Sequence, residues 1–500
     1  MNKEKNLVLD VEESPKKIHE WLLFGIQHVL AMLVACITVP LLTGLPIAAT
    51  LIAAGIGTFI YIALTKGKSP VFLSSSFAYI APMQSALAVG LLSGATKNNF
   101  LALIIGMVLV GIMYCIFALI IKRTGTAWLN KVLPPIVVGP IIMVIGLSLA
   151  GSAINNLTLN GSNDPEKYNW IAIISGLVAL IATALASHYG KKMMKLIPFI
   201  IGMGSGYIVA ILFTLIGYYG CGNEYFNVVN FTAFTNIFAP DKIGFASFFN
   251  YKLFIPNDPE SFIFLRFDKI AQFDWTTIGT VILLFLPVSF VTMCEHIGDH
   301  ENLGNIIDRD LLNGEPGMSR TLSGDGIATA VSGLLCGAAN TTYGENVAVI
   351  GMTRIASTKV VLLAAVMSIV IGFFTPFTAL LQTIPAAVTG GVSLILYGFI
   401  ASSGVKMLIK EKIDLTNQKN IFIASAILVS GIGGLTLKFG NPDSPVITIT
   451  SVAVAMILGI LLNVILVDKK PKVQTIEAEA VVNNTEATVE EKVEETTETK

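Results

Sequence analysis

The stretch Asn340-Thr341-Thr342-Tyr343-Gly344-Glu345-Asn346 decides how this chain is read. It lies between two apolar runs, with no long hydrophilic loop on either side. Two amides, a tyrosine, a glycine and a carboxylate are therefore expected at membrane depth. Backbone at that depth leaves the helix only where protein buries it or a polar cavity receives it. An ionisable group there costs roughly 2.5–3.5 kcal/mol on insertion scales, which marks Glu345 as a functional candidate. The competing reading is a Glu that snorkels from a helix end or faces a short loop. A second interruption weighs against it: Ser74-Ser75-Ser76-Phe77-Ala78-Tyr79-Ile80-Ala81-Pro82 places three serines and a proline inside another apolar run. A short extended piece leading into a half-helix would offer free N–H groups at a positive dipole end. The alternative there is a Ser-rich helix packed closely on a neighbour.

Composition fixes the class. The 500 residues are 54% hydrophobic and 13% charged, whereas soluble domains carry about 25% charged residues. The chain is expected to be an all-α polytopic membrane protein. Its net charge of −1 points to no nucleic-acid partner. Cys36, Cys115, Cys221, Cys294 and Cys336 show no paired spacing and read as packing residues, not as a disulfide or zinc framework. The first 20 residues are hydrophilic, and the apolar run that follows is too long for a signal-peptide core.

Apolar segments fall at roughly 21–42, 46–65, 71–91, 99–121, 132–153, 170–187, 195–218, 276–297, 321–339, 344–357, 359–381, 388–408, 420–437 and 447–467, several of them near or below the ~20 residues of a straight span. Those at 71–91 and 344–357 are broken by polar residues, which is the sequence mark of a transporter site. Fourteen spans with a cytoplasmic N-terminus place 25 of the 32 Lys and Arg inside, as the positive-inside rule requires. Both termini are then cytoplasmic. Residues 219–275 form a partly ordered extracellular loop, and 468–500 an acidic disordered tail. A shift of 267 residues lays Ser76-Phe77-Ala78 over Tyr343-Gly344-Glu345 and Ile26-Gln27-His28 over Met293-Cys294-Glu295. A shift of 251 lays Pro134, Val137 and Gly139 over Pro385, Val388 and Gly390. Seven spans per half is odd, so the halves are expected to be inverted, an arrangement that puts a transporter's site near the bilayer midplane.

Glu295-His296-Ile297-Gly298-Asp299-His300 closes the eighth span. Glu295 and Asp299 share a face if the helix continues. Three readings are open: a substrate ligand with a proton relay, His296 and His300 as i, i+4 metal ligands, or a solvated helix end at His300 and Glu301.

Glu345-Asn346-Val347-Ala348-Val349-Ile350-Gly351-Met352-Thr353-Arg354 resembles the signature of the nucleobase–ascorbate transporter family. With Gln27-His28, Ser75-Ser76-Phe77-Ala78 and Glu295-His296-Ile297-Gly298, the chain resembles that family's uracil permease branch from about Trp21 to Val467, the 219–275 loop excepted. The resemblance implies 14 transmembrane segments as two inverted 7-span repeats, with short strands beginning spans 3 and 10. It implies a core domain of 21–121 and 276–381 after the cytoplasmic segment 1–20, and a gate domain of 132–218 and 388–467. It implies proton-coupled uracil import across the cytoplasmic membrane by alternating access, a homodimer, and no metal or cofactor. The carboxylates of Glu295 and Glu345 and the main-chain amides of Phe77 and Gly344 would hold the base, with Tyr343 and Tyr397 nearby. Asp299, His28 and Asn346 would couple protons or support the site.

Two positions depart from the family pattern: Ala348 stands at a Gly position, where it would tighten packing in the half-helix, and Asp299 stands where a His occurs. Uracil presents alternating C=O and N–H groups, so two carboxylates and two amides would satisfy its rim, with charge-assisted bonds roughly twice as strong as neutral ones. Burial favours the neutral form of a carboxyl, which suits Glu295 or Asp299 to a proton. The alternatives are a xanthine or urate permease, which Gln at 345 would have favoured, and a membrane-embedded metal-dependent hydrolase using Glu295, His296 and His300. An anion transporter of similar fold is expected to carry a soluble C-terminal domain, for which the acidic tail is too short.

Overall fold

The computed structural model describes residues 7–88, 100–125, 131, 133–159, 169–191, 194, 197–238, 244–255, 275, 278–441 and 444–466. The acidic tail 468–500 and residues 256–274 of the loop expected at 219–275 lie outside the described residues.

The fold is mostly helical. The helices are α1 (Ile18–Thr43), α2 (Ile47–Leu64), α3 (Ile80–Ala88), α4 (Phe100–Thr124), α5 (Pro135–Ser148), α6 (Ala150–Leu159), α7 (Trp170–Tyr189) and α8 (Pro198–Phe213), followed by α9 (Ile278–Ile307), α10 (Met318–Leu334), α11 (Gly344–Thr353), α12 (Thr358–Phe373), α13 (Thr375–Gln382), α14 (Ala386–Lys410), α15 (Gln418–Ile432) and α16 (Ser451–Ile465). Among the described residues, eight helical segments are long and apolar enough to cross a membrane: α1, α2, α4, the α5–α6 segment, α7, Pro198–Gly220, α9 and α14. Apolar helices α12, α15 and α16 are shorter. Two strands, β1 (Leu73–Ser75) and β2 (Asn340–Thr342), precede α3 and α11.

Packing sorts the helices into two sets. In one, α10 lies on α2 and α4, α12 on α1 and α2, and α9 on α4. In the other, α14 lies on α5, α6 and α7, while α15 packs on α5 and α16. Small residues let backbones meet. A Cβ at Gly111 of α4 would stand 2.6 Å from Gly326 O of α10, and one at Gly326 would stand 2.5 Å from Tyr114 Cβ. Lipid offers helices no hydrophobic drive to associate, so such close approach carries the packing.

The structure adds to the sequence reading at the N-terminal segment and differs from it in one connection. The hydrophilic N-terminal segment does not float free. Val8 N–H donates to Arg354 O (2.8 Å), Ala356 N–H to Leu9 O (2.9 Å), and Thr358 N–H to Val11 O (3.0 Å). Val11 is fully buried and Asp10 pairs with Arg309 at 3.0 Å. Between α15 and α16 stands a hairpin of β3 (Leu437–Asn441) and β4 (Ser444–Ile449), where the sequence reading ends one span at 437 and begins the next at 447. The β-branched Val446-Ile447-Thr448-Ile449 favours the pleated state over the helix. On the turn leaving α9, Asp310 accepts from Asn313 N–H and Leu312 N–H. Those bonds, the Asn313 one foremost, hold its carboxyl below the usual aspartate range.

Gly111→Val inserts three carbons where α4 meets a carbonyl of α10. Overpacking of this kind costs about 1–3 kcal/mol. The thermal midpoint of the detergent-purified variant is expected to fall, and a midpoint equal to wild type would contradict the α4–α10 contact.

Candidate functional site

The site grows from the two strands. They pair antiparallel, Leu73 with Thr342, Ser74 with Thr341 and Ser75 with Asn340. Ser76 N–H extends the ladder to Ala339 O at 2.8 Å. Helices satisfy what the ladder leaves over. Thr58 Oγ1 of α2 accepts from Leu73 N–H (3.0 Å), Thr329 Oγ1 of α10 donates to Asn340 O (2.6 Å), and Ser74 Oγ donates to Met32 O of α1 (3.2 Å). The Asn340 carboxamide donates to Ala53 O at 3.2 Å. All six strand residues are buried.

Each strand then turns into a short helix. Gly344 opens α11, where the first N–H groups have no acceptor within the helix. Phe77 sits between β1 and α3, and its ring lies 6.4 Å from that of Tyr343. Together they face a cavity of about 420 Å³. One wall is polar: Glu295 and Asp299 of α9, Gly344 and Glu345 of α11, and Ser75, Ser76 and Phe77 beside β1. The facing wall is apolar apart from Ser403, with Ile142 and Ile145 of α5 and Leu396, Phe399, Ile400 and Met407 of α14. Helix α9 runs unbroken through Ile307, which is why Glu295 and Asp299 share the cavity face. Asp299 Oδ2 accepts from Thr342 Oγ1 at 2.7 Å, and a Cβ at Gly344 would stand 3.4 Å from Asp299 Oδ1. Ala348 is exposed to the cavity, so its methyl borders the open space instead of tightening the half-helix.

Three expected residues stand outside that lining. His28 Nδ1 is hydrogen-bonded to Asn346 Oδ1, tying α1 to α11 behind the cavity, and both residues are buried. Tyr397 is buried on α14 beside Leu396 and does not border the cavity.

The two histidines of α9 turn towards α10 and α2. His296 Nδ1 donates to Asp325 Oδ2 (2.8 Å), and its Nε2 is bonded to Thr321 Oγ1 (3.1 Å). His300 Nδ1 donates to His296 O (2.8 Å), so its Nε2 accepts from Tyr61 Oη (2.5 Å), which in turn accepts from Ser69 Oγ (2.8 Å). All four ring nitrogens are committed to protein partners, which removes the reading of an i, i+4 metal pair. His300 is fully buried, which corrects the reading of a solvated helix end there. Glu301 is the residue that reaches the surface, 3.1 Å from Lys410 Nζ. Sequence reasoning passed over Asp325, a fully buried carboxylate on α10. Its signal was available: an aspartate inside the apolar run 321–339 is a functional-site candidate by the same rule that singled out Glu345.

Removing one partner of a buried hydrogen bond leaves the other unsatisfied and costs about 1–3 kcal/mol. Asp325→Ala is expected to lower the thermal midpoint more than Asp325→Asn, which keeps an acceptor for His296. Equal midpoints for wild type and Asp325→Ala would show that the His296–Asp325 contact carries no stability.

A family model described as "Permease family" matches residues 19–440. The uracil permease of Bacillus caldolyticus is 38% identical over 459 residues, covering 92% of this chain and 94% of that protein. The uracil permease of Bacillus subtilis is 36% identical, covering 93% and 97%. The uracil permease of Escherichia coli K12 is 33% identical, covering 88% and 90%. Among solved structures, the transmembrane domain of the cyanobacterial bicarbonate transporter BicA superposes with a TM-score of 0.60 at 13% identity, covering 91% of this chain and 99% of that one. The murine Solute Carrier 26 family member A9 anion transporter, in its inward-facing state, superposes with a TM-score of 0.58 at 11% identity, covering 91% and 69%. These two show the fold alone. The chain belongs to this family of multi-pass membrane permeases, in the uracil permease branch of the nucleobase–ascorbate transporters, and is a transporter and not an enzyme.

Proposed function

We propose that this permease imports uracil across the cytoplasmic membrane, driven by protons, by alternating access. The observation that carries the reading is the meeting of Glu295 and Glu345 with Phe77 and Gly344 on one wall of one cavity. Two carboxylates accept from the two N–H groups of uracil, and two main-chain amides donate to its two carbonyls. An analogue with a different edge leaves one of these groups unpaired, and sites built to hydrogen-bond their substrate reject such analogues strongly. Relatives named as uracil permeases support the choice of base.

The finer architecture follows the same reading. The chain forms 14 spans in two inverted sevens, with β1 and β2 beginning spans 3 and 10 at the 267-residue shift that relates the halves. The core domain is 21–121 with 276–381, and the gate domain is 132–218 with 388–467. The segregated packing of the two helix sets supports that division. Movement of the polar core wall past the apolar gate wall exposes the base to one side and then the other. Both termini are cytoplasmic, and the protein works as a homodimer. His28, through Asn346, fixes α11 against α1, and Tyr343 closes the cavity beside Phe77.

Uptake of labelled uracil into energised vesicles, competed with thymine, cytosine and xanthine, tests the substrate. Uracil is expected to compete best, and preferential competition by xanthine would overturn the assignment. Glu345→Gln keeps one acceptor oxygen but loses the charge. Loss of a charge-assisted bond costs roughly 1.5–3 kcal/mol, or about tenfold to 150-fold in affinity. Glu345→Ala is expected to cost more, and neither change should unfold the protein. Calorimetry beside a thermal melt measures both, and wild-type affinity in the two variants would move the site elsewhere.

Asp299 carries the coupling proton in this reading. Asp299→Asn keeps an acceptor for Thr342 but cannot exchange a proton. Accumulation against a gradient is expected to fail while uracil binding persists. Undiminished accumulation would assign the coupling to another group.

A further inference from the structure

A second cavity, of about 560 Å³, shares no lining residue with the first. One wall is the outer segment around Asn236, Asn250 and Tyr251, and the other is the start of α2 with α13. The outer segment is fixed in place. Leu253 is fully buried against Ala48, Ala49 and Ile52. Phe249 and Phe254 stack on Phe373 at 5.1 and 5.8 Å, with interplanar angles of 12° and 11°. Asn250 N–H donates to Phe373 O at 2.9 Å.

This anchoring presents the Asn250 side chain to the cavity while leaving the residue 7% exposed. Among the described residues, no hydrogen-bond partner reaches its carboxamide, which is open to the cavity, and Thr375 on the opposite wall has a buried Oγ1 without a partner. Buried polar groups are nearly always paired, so the Thr375 hydroxyl, with the unpaired Asn250 amide across the same space, suits an occupant that bonds to both. The described lining contains no charged side chain, which disfavours an ion. A carboxamide and a hydroxyl each both donate and accept, so the fitting occupant is neutral and does the same. The flanking Phe249 and Tyr251 favour a flat one.

We propose that this cavity is a second, outer binding site for a neutral cyclic imide, the chemical class of uracil, with Asn250 and Thr375 as its polar contacts. The assignment of ligand and side rests on the transport reading above. The site would collect the base at the outer face before the central cavity turns towards it.

Equilibrium dialysis of radiolabelled uracil against the detergent-purified full chain tests this. The wild type is expected to bind two equivalents, one tight and one weaker. Glu345→Ala should weaken the tight class and spare the other. Asn250→Leu should weaken the outer class about tenfold and spare the tight one. Thr375→Val, which removes a hydroxyl at nearly constant volume, should act in the same direction and serves if the Asn250 variant melts early. A single equivalent in the wild type, or a weak class untouched by both outer variants, overturns the proposal while leaving central binding and the transport reading intact. No uracil binding by the wild type would instead remove the transport reading, and the ligand assignment with it.

Discussion

Everything in this fold depends on keeping a bare stretch of backbone paired inside the membrane. An unsatisfied N–H or C=O in hydrocarbon costs several kcal/mol, so irregular chain survives there only where protein receives it. The three-residue ladder of β1 and β2 solves the larger part, Thr58 and Thr329 complete it from the surrounding helices, and the strands' own Ser74 and Asn340 side chains donate to helix carbonyls. Because the strands are held from several sides, Gly344 and Phe77 are set where each chain re-enters helix. Their position follows from the ladder and not from any ligand.

The cavity divides its work between two walls. Carboxylates and main-chain amides stand on the set built from α1–α4 and α9–α12, and apolar side chains on the set built from α5–α8 and α14–α16. Polar groups placed on one body alone move together, and an apolar face can slide past them without breaking hydrogen bonds. That asymmetry suits the alternating access proposed above.

Beneath the polar wall lies a buried polar network. His296 is held by Asp325 and Thr321, His300 by Tyr61, and Thr292 takes both Tyr79 and Tyr114 at 2.9 and 2.6 Å. A buried polar network rigidifies its surroundings when its members are paired and destabilises them when one is lost. Here it ties α9 to α2, α4 and α10, and so fixes the helix that carries Glu295 and Asp299.

The sequence by itself determined the class, the interruptions and much of the candidate site. A low charge content forces a membrane protein, and polar residues stranded in apolar runs mark where it must be non-helical. Glu345, Glu295, Asp299, Phe77 and Gly344 were legible on that ground, together with a family signature. Asp325 was legible by the same rule and was missed. Only the tertiary structure decided that His296 and His300 are structural partners and not metal ligands, that Ala348 faces open space, that Tyr397 stands off the cavity, and that residues 7–13 strap the far end of α11. Each of these depends on what a side chain meets across a helix interface. Periodicity along one chain shows which face a residue shares, but the partner comes from a segment hundreds of residues away, and packing alone selects it.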